Sequence, residues 1–459
     1  MSKFETNLSE GNVVKQLMKF ALPFIISNLI QSLYSVADMI IVGRFAGASS
    51  AISMSGVNIG SQVTMLVTNL VIGLAAGATV LIAQYLGAND RKSLKDTIGS
   101  LLTILLVSSV FVTIFMVVLR VPILKLIQTP AASFNEANRY LTVTSLGTIF
   151  IFMYNALSAI LRGMGDSKRP LYFVCVAAVV NIVLDLILVG VLDMRAFGAG
   201  LATIISQAIS VMLCIIYLKR SDFIFDFSIR SFGFNADKTK LLLKIGIPMS
   251  AQNVCTSISF LFLTTIVNIL DPTAIASAAV GAVGKLNGFG VLPAFAMSNA
   301  ISAMCAQNFG AGLQKRAVNT MKIGTAISFG ISFAVFAIIR LFPDFFIGLF
   351  TPDAEVITQG VIYLKSFSYD YIFVPLMSGL NGLFIGAGHT TFSLFNGIVS
   401  SILVRIPTSY LFGIILDMGL SGVGLGAPCA SFIAFAIALI YFISGAWKKN
   451  KIIKRVTID

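Results

Sequence analysis

The chain says the same thing twice. Residues 15–31, KQLMKFALPFIISNLIQ, return in outline as residues 240–256, KLLLKIGIPMSAQNVCT. Lys15, Lys19, Pro23 and Asn28 fall on Lys240, Lys244, Pro248 and Asn253. Further on, AQYLGANDRK (83–92) returns as AQNFGAGLQK (306–315), AILRGMGDS (159–167) as GLFIGAGHT (382–390), and FGAGLATIIS (197–206) as SGVGLGAPCA (421–430). The offset stays between roughly 223 and 225, so one unit is written out twice over almost the whole length. Whatever the chain folds into must be two copies of one architecture.

The medium of that architecture follows from composition. Hydrophobic residues make up 57% of the chain, charged residues only 11%, and mean hydropathy is +0.93. A water-soluble fold, with about a quarter charged residues, cannot hide so much apolar surface. Apolar runs of about 20 residues, the length that crosses a bilayer as a helix, recur along the chain. Twelve spans are expected, at 20–43, 57–85, 98–119, 140–161, 171–191, 198–218, 247–270, 281–308, 323–341, 360–386, 392–413 and 423–446. The fold class is therefore an all-α membrane protein of twelve transmembrane helices in two six-helix repeats. The divisions are 1–218, a linker at 219–240, and 241–459. The first 19 residues are polar and charged and carry no cleavable signal pattern.

A net charge of +13 raises the question of nucleic acid, and its distribution answers it. With the N-terminus inside, the inner set holds Lys3, Lys15, Lys19, Arg91, Lys92, Lys95, Arg162, Lys168, Arg169, Lys219, Arg220, Arg230, Lys238, Lys240, Lys244, Lys315, Arg316, Lys322, Lys448, Lys449, Lys451, Lys454 and Arg455. The outer edges hold only Arg44, Arg120, Lys125, Arg139, Arg195 and Arg340. This is the positive-inside pattern. It predicts a multi-pass protein of the cytoplasmic membrane with both termini in the cytoplasm. An even number of spans per repeat makes the repeats parallel. The partners expected are the lipid bilayer and small molecules rather than nucleic acid, and a monomer is expected.

The polar stretch 219–240, KRSDFIFDFSIRSFGFNADKTK, reads as a cytoplasmic linker whose Phe223, Phe225, Phe227, Phe232 and Phe234 rest on the membrane interface. Cys175, Cys214, Cys255, Cys305 and Cys429 all lie within apolar spans without metal or redox spacing, as small residues at helix contacts. Pro23 and Pro248 stand near the starts of their spans. There a proline is either tolerated in a first turn or permits a bend.

The chemistry rests on the few acids within spans, Asp38, Asp185 and Asp370. An aspartate at mid-bilayer costs roughly 2.5–3.5 kcal/mol on insertion scales and usually faces a cavity or a partner. Gln31, Tyr34 and Asp38 share one helix face. Asn181 and Asp185 share another. Counted from the inner ends of their spans, Asp38 and Asp185 lie about 27 and 21 Å deep at 1.5 Å per residue, so the two carboxylates are expected to meet. Thr203 falls at a similar level. The duplication supplies a control: Leu263 stands where Asp38 would be, and Thr408 where Asp185 would be. The scaffold is doubled and the acids are not. Two buried carboxylates cannot both stay charged at low cost. Such a pair can take a proton, or hold Na⁺ with Asn181 and Thr203 as further oxygen ligands.

In the second repeat, Asp370 either pairs with Lys285, Lys365 or Arg405 as a structural ion pair, or takes part in a second substrate or coupling site with Lys285. His389, the only histidine, sits in a predicted inner loop and suggests no metal site. No GxxxxGK[ST], no HExxH and no hydrolase triad pattern is present, so an ion gradient rather than ATP is the expected driving force, and no enzyme activity and no cofactor are expected.

These blocks, SLYSVADMIIVGRFAG (32–47), AQYLGANDRK, AILRGMGDSKRPLY (159–172), NIVLDLILV (181–189) and GAGLAT (198–203), resemble the multidrug and toxic compound extrusion (MATE) family, in its prokaryotic branch with an acidic site in the N-terminal lobe. The resemblance implies two six-helix lobes arranged in a V. It implies a cation-binding set at Asp38, Asn155, Asn181, Asp185 and Thr203, with Tyr34 and Gln31 as neighbours and Pro23 as the bending proline of the first helix. It further implies an antiporter, coupled to H⁺ or Na⁺, that exports cationic amphipathic organic compounds by alternating access. A flippase for a lipid-linked oligosaccharide or precursor, on a related fold, is the alternative, and a non-transporting membrane sensor is a second.

Overall fold

The computed structural model describes residues 5–45, 50–220, 223–228, 231–271, 275–449 and 452. Lys3, Arg230, Lys451, Lys454 and Arg455 of the inner charge set lie outside these. Among the described residues there is helix and no strand, as a bilayer demands: every backbone N–H and C=O is satisfied within its own segment.

The helices are α1 (Val13–Phe45), α2 (Ser50–Gly87), α3 (Arg91–Leu126), α4 (Ala131–Leu146 with Thr148–Gly163), α5 (Lys168–Val191), α6 (Arg195–Lys219), α7 (Ala236–Leu270), α8 (Ile275–Gly310), α9 (Gln314–Leu341), α10 (Ala354–Phe367 with Asp370–Gly386), α11 (Thr390–Ile415) and α12 (Gly419–Ser444). Ten are long and apolar enough to cross a membrane unbroken, and α4 makes an eleventh as a pair bent by 51°. The expected span 360–386 is the exception. It is split at Ser368 and Tyr369 into two pieces of 14 and 17 residues, each short of the roughly 20 needed to cross alone.

Most helices overrun their expected ends, because amphiphilic turns continue past the apolar run. The largest overrun starts α7 at Ala236 against an expected 247, and α1 starts at Val13, inside the polar stretch. That settles the place of Pro23: it lies well inside α1, not in a first turn. Its ring removes a backbone bond, and the Ser27 hydroxyl donates to the Pro23 carbonyl at 2.8 Å. Pro248 likewise lies inside α7.

The repeat is carried into the backbone. Gly165 and Gly388, at equivalent points of the duplicated turn, both take positive φ, 84° and 85°, a conformation that glycine adopts without steric cost. Asp193 and Asp417 match in the same way, at 49° and 53°. A π-helical turn, Leu186–Val191, follows Asp185, and another, Leu411–Ile415, ends α11.

The chain divides into two compact units. The first comprises 1–6, 22–82 and 90–250, the second 7–21, 83–89 and 251–459. In the first, the linker does not lie on the membrane as expected. Phe225 is fully buried and Phe223 nearly so. Phe225 meets Phe227 and Phe232 edge to face at 5.2 and 5.6 Å. The segment is tied to α3: Lys238 Nζ donates to Ser93 Oγ at 2.8 Å, and the Asn235 backbone N–H to Ser100 Oγ at 3.3 Å. Only Phe234 stays largely exposed. Closely spaced phenylalanines bury more area against one another than a flat interface would cover. In the second unit the core gathers residues such as Met297, Ile301, Leu383 and Phe384 of α8 and α10. All five cysteines are free.

Candidate functional site

The candidate site is built entirely within the first unit. Ile41, Val42, Val57, Tyr140, Val189, Ala196 and Ala199 pack into one apolar cluster that draws α1, α2, α4, α5 and α6 together. This cluster sets the relative positions of α1 and α5. The Asp38 and Asp185 side chains come within hydrogen-bonding reach of each other. Asp185 is fully buried, and Asn181, one turn earlier, almost fully. Asp38 Oδ1, both Asp185 oxygens, and Oδ1 and Nδ2 of Asn181 are all buried without a hydrogen-bond partner. A bond between two carboxyl groups exists only if one carries a proton. Buried polar groups left unmade cost roughly 1–3 kcal/mol each, more when charged. The arrangement offers hard oxygens from three side chains, a donor set that suits H⁺ or a small alkali cation.

The surrounding shell is aromatic. Tyr34 adjoins Asp38 and reaches Gln207. Tyr154 is flanked by Gln31 and Ser158. Tyr140 stands beside both carboxylates and reaches Thr203, whose hydroxyl also donates to Ala199 of its own helix at 3.0 Å. Asn155 is different. Its amide donates to the Ile151 carbonyl one turn back at 2.8 Å, and no hydrogen bond joins it to the acids.

Tyr140, Tyr154 and Gln207 escaped the sequence reading. Their signal was the i, i+4 spacing: Gln207 follows Thr203 by one turn, and Tyr140, Thr144 and Thr148 run down one stripe of α4. Tyr140 is admitted by Gly60, where an added Cβ would lie 2.5 Å from its ring. A fourth acid, Glu136, also lies within a span, because α4 starts earlier than expected. It accepts from the Ala196 backbone N–H at 3.2 Å at the start of α6. A carboxylate there offsets unpaired donors and the helix dipole, so its role is structural.

In the second unit Asp370 opens the second half of α10, is buried, and accepts from Ser431 Oγ at 2.5 Å. No direct ion pair forms with any of the three expected cations among the described residues. Lys285 and Lys365 are exposed. Arg405 alone is buried and close enough for its charge to act on Asp370. His389 is buried, its ring between the Tyr441 hydroxyl at 2.7 Å and the Lys449 carbonyl at 2.8 Å. Among the described residues no three His, Cys, Asp or Glu side chains cluster as a metal site.

A duplicated helical bundle with an unpaired acid site inside the membrane defines a multi-pass membrane transporter. The chain belongs to the MatE family, whose model matches twice, over residues 23–187 and 248–411. The two matches begin at Pro23 and Pro248, in register with the repeat. The chain is 28% identical over 446 residues to "Probable multidrug resistance protein YpnP" of Bacillus subtilis, covering 97% of this chain and 98% of that one. It is 27% identical to "Probable multidrug resistance protein NorM" of Thermotoga maritima, covering 96% and 94%. It superposes with a TM-score of 0.91, at 24% identity, covering 98% of this chain and 100% of the other, on a solved structure described as an outward-facing multidrug resistance MATE family transporter of the MOP superfamily. That likeness establishes the all-helical MATE fold.

Proposed function

We propose that this protein is an antiporter of the cytoplasmic membrane that exports amphipathic organic cations in exchange for inward H⁺ or Na⁺. The observation that carries the reading is the Asp38–Asp185 pair: two adjoining carboxyl groups, Asp185 buried and Asp38 partly so, with three buried oxygens lacking any donor, and with no acid at the equivalent places of the second repeat. Relatives named as multidrug resistance proteins support the substrate class.

In the proposed cycle the coupling ion reaches Asp38 and Asp185 from outside and neutralises them. Loss of negative charge changes the packing of α1, whose interior Pro23 leaves a backbone carbonyl free to yield. A ligand shifts such a two-state equilibrium only by its differential affinity for the two states. The ion therefore favours the state that releases substrate, and substrate favours the state that releases the ion. Tyr34, Tyr140 and Tyr154 present π faces that attract organic cations without demanding one shape. Both termini lie in the cytoplasm in this reading, and alternating access carries the substrate across.

The test is transport of a fluorescent organic cation in proteoliposomes, with pH and sodium gradients imposed separately. Uptake driven by one of them, and lost in both Asp38→Asn and Asp185→Asn, is expected. Undiminished gradient-driven transport in both variants would remove the coupling role.

A further inference from the structure

The first unit holds a cavity of about 500 Å³ that the proposed coupling chemistry does not use. Asn138, Arg139 and Thr142 of α4 line it on one side, and Asp193, Met194 and Phe197, from the α5–α6 turn and the start of α6, on the other. The volume lies within the range of small-molecule pockets. The cavity sits at the end of the unit that the last turn of α1 reaches: a Cβ added at Gly190, just before the turn, would lie 3.6 Å from the Phe45 ring. The positive-inside pattern puts this end outside. Val191 and Leu192, leading into the turn, are largely exposed, so apolar surface adjoins the cavity mouth.

Three arginines gather here. Arg139 lines the cavity, is exposed, and has no ion pair or hydrogen-bond partner among the described residues. Arg120 donates from Nε to Asn138 Oδ1 at 3.1 Å, which leaves the Asn138 amide hydrogens to donate elsewhere. Arg195 Nε lies 3.5 Å from Asp193 Oδ1. Two carboxylates stand against them. Asp193 is shared with Arg195, and Glu136 is buried and accepts from the Ala196 backbone N–H. Positive charge is left in excess, and Arg139 is the group without a partner. The repeat shows that the cluster is held at a cost. Arg195 opens α6 with φ of 50°, and Gly419 opens α12 at the equivalent place with φ of 58°. Glycine takes this conformation freely, whereas an L-residue there costs roughly 1–2 kcal/mol. Strain of this kind collects at functional positions. Arg139 and Arg120 have no basic counterpart either: at the repeat offset they fall among Ile362–Leu364 and Pro343–Phe345.

We infer that this cavity holds the headgroup of an anionic phospholipid with a hydroxyl-bearing head, of the phosphatidylglycerol type. Its phosphate takes Arg139 and the amide hydrogens of Asn138, a headgroup hydroxyl donates to Asp193, and its acyl chains leave along Val191 and Leu192. Planar guanidinium matches phosphate in geometry and charge, and basic clusters at the ends of membrane helices suit acidic headgroups. The site is separate from the Asp38–Asp185 pair and opposite to it in charge preference.

The experiment is photocrosslinking of the full-length protein in phosphatidylcholine vesicles that contain a trace of diazirine-labelled phosphatidylglycerol, with adducts located by peptide mass spectrometry. Adducts are expected within 138–142 and 191–197. Unlabelled phosphatidylglycerol is expected to displace them at concentrations at least about tenfold lower than phosphatidylethanolamine, the scale of one charge-assisted hydrogen bond. Arg139→Gln is expected to lower the yield at these segments by a similar factor, and Arg139→Lys to keep part of it. Lys125→Gln changes a basic residue at the same end that does not line the cavity, and is expected to leave the yield unchanged. Arg195→Gly copies the second repeat. It is expected to weaken crosslinking while unfolding no earlier than wild type, because the left-handed strain is relieved. Displacement by phosphatidylethanolamine as effective as by phosphatidylglycerol overturns the proposal, since the headgroup charge is then not read. Displacement by inorganic phosphate also overturns it, since the ligand is then a soluble anion. So does a loss in Lys125→Gln equal to that in Arg139→Gln, or a yield undiminished in Arg139→Gln or, should that variant not fold, in Arg195→Gly.

Discussion

Asp38 and Asp185 sit on α1 and α5, with three helices of chain between them, and their carboxyl groups adjoin with no donor for Asp38 Oδ1 or for either Asp185 oxygen. Two acceptors face each other, and the proposed coupling ion or proton would supply the missing positive charge.

In the proposed cycle, neutralising either acid removes the differential affinity on which coupling depends. Coupling free energies of about 1–3 kcal/mol correspond to roughly 5- to 150-fold effects, so Asp38→Asn and Asp185→Asn are each expected to lower gradient-driven efflux within that range. The double variant should lose little more than either single one, because the two groups act as a unit. Initial rates in proteoliposomes measure this, and additive losses would mean that the acids act independently.

Gly60 admits the Tyr140 ring, which is 7% exposed and walled by the α1–α6 cluster. Gly60→Val forces a clash at 2.5 Å. Overpacking of this kind costs about 1–3 kcal/mol. Thermal unfolding in detergent is expected to fall by several degrees, and cation transport to fall with it, since Tyr140 stands beside both carboxylates. An unchanged midpoint would show that α2 and α4 can move apart freely.

The linker makes a paired prediction. Phe225→Ala removes a fully buried ring and should cost about 3–5 kcal/mol. Phe234→Ala removes a ring that is 68% exposed and should cost less than about 0.5 kcal/mol. Limited proteolysis at the 219–240 segment reads the difference. Equal protease resistance would mean the phenylalanine cluster does not hold the segment to α3.

Asp90 caps α3 by accepting from the Ser93 backbone N–H at 3.0 Å. Bonding to Ser93 holds its carboxyl below the usual carboxylate range. The folded value lies below the unfolded one, so the cap's contribution is complete above about pH 4 and is lost as pH falls through the lowered value. Asp90→Ala is expected to cost about 0.5–2 kcal/mol at neutral pH and nothing once the wild-type carboxyl is protonated. Unfolding midpoints of both proteins, compared across acid pH, should converge downward. A constant gap would mean the cap does not titrate.

Removing the interior proline acts on stability and motion in opposite directions. A proline inside a helix costs about 3 kcal/mol, and Pro23 is buried within α1. Pro23→Ala is expected to raise the unfolding midpoint and to slow transport. A variant both more stable and fully active would leave Pro23 without a part in the cycle.

The amino-acid sequence by itself determined the architecture. Apolar runs of bilayer length and a repeat from Lys15 to Ala430 leave few alternatives to a doubled helical bundle, because in lipid each segment must satisfy its own backbone. The faces carrying Gln31, Tyr34 and Asp38, and Asn181 and Asp185, were legible because helical spacing is a local property. Only the tertiary structure decided what those faces meet. Tyr140 reaches the acids because Gly60 lets α4 approach α2, and Asn155 turns back to its own helix. Arg405, not Lys285 or Lys365, is the cation buried near Asp370. α10 breaks at Ser368 and Tyr369, and the linker phenylalanines turn inward onto α3. Those outcomes depend on which side chains fill the space between helices, and that space does not exist until the helices have packed.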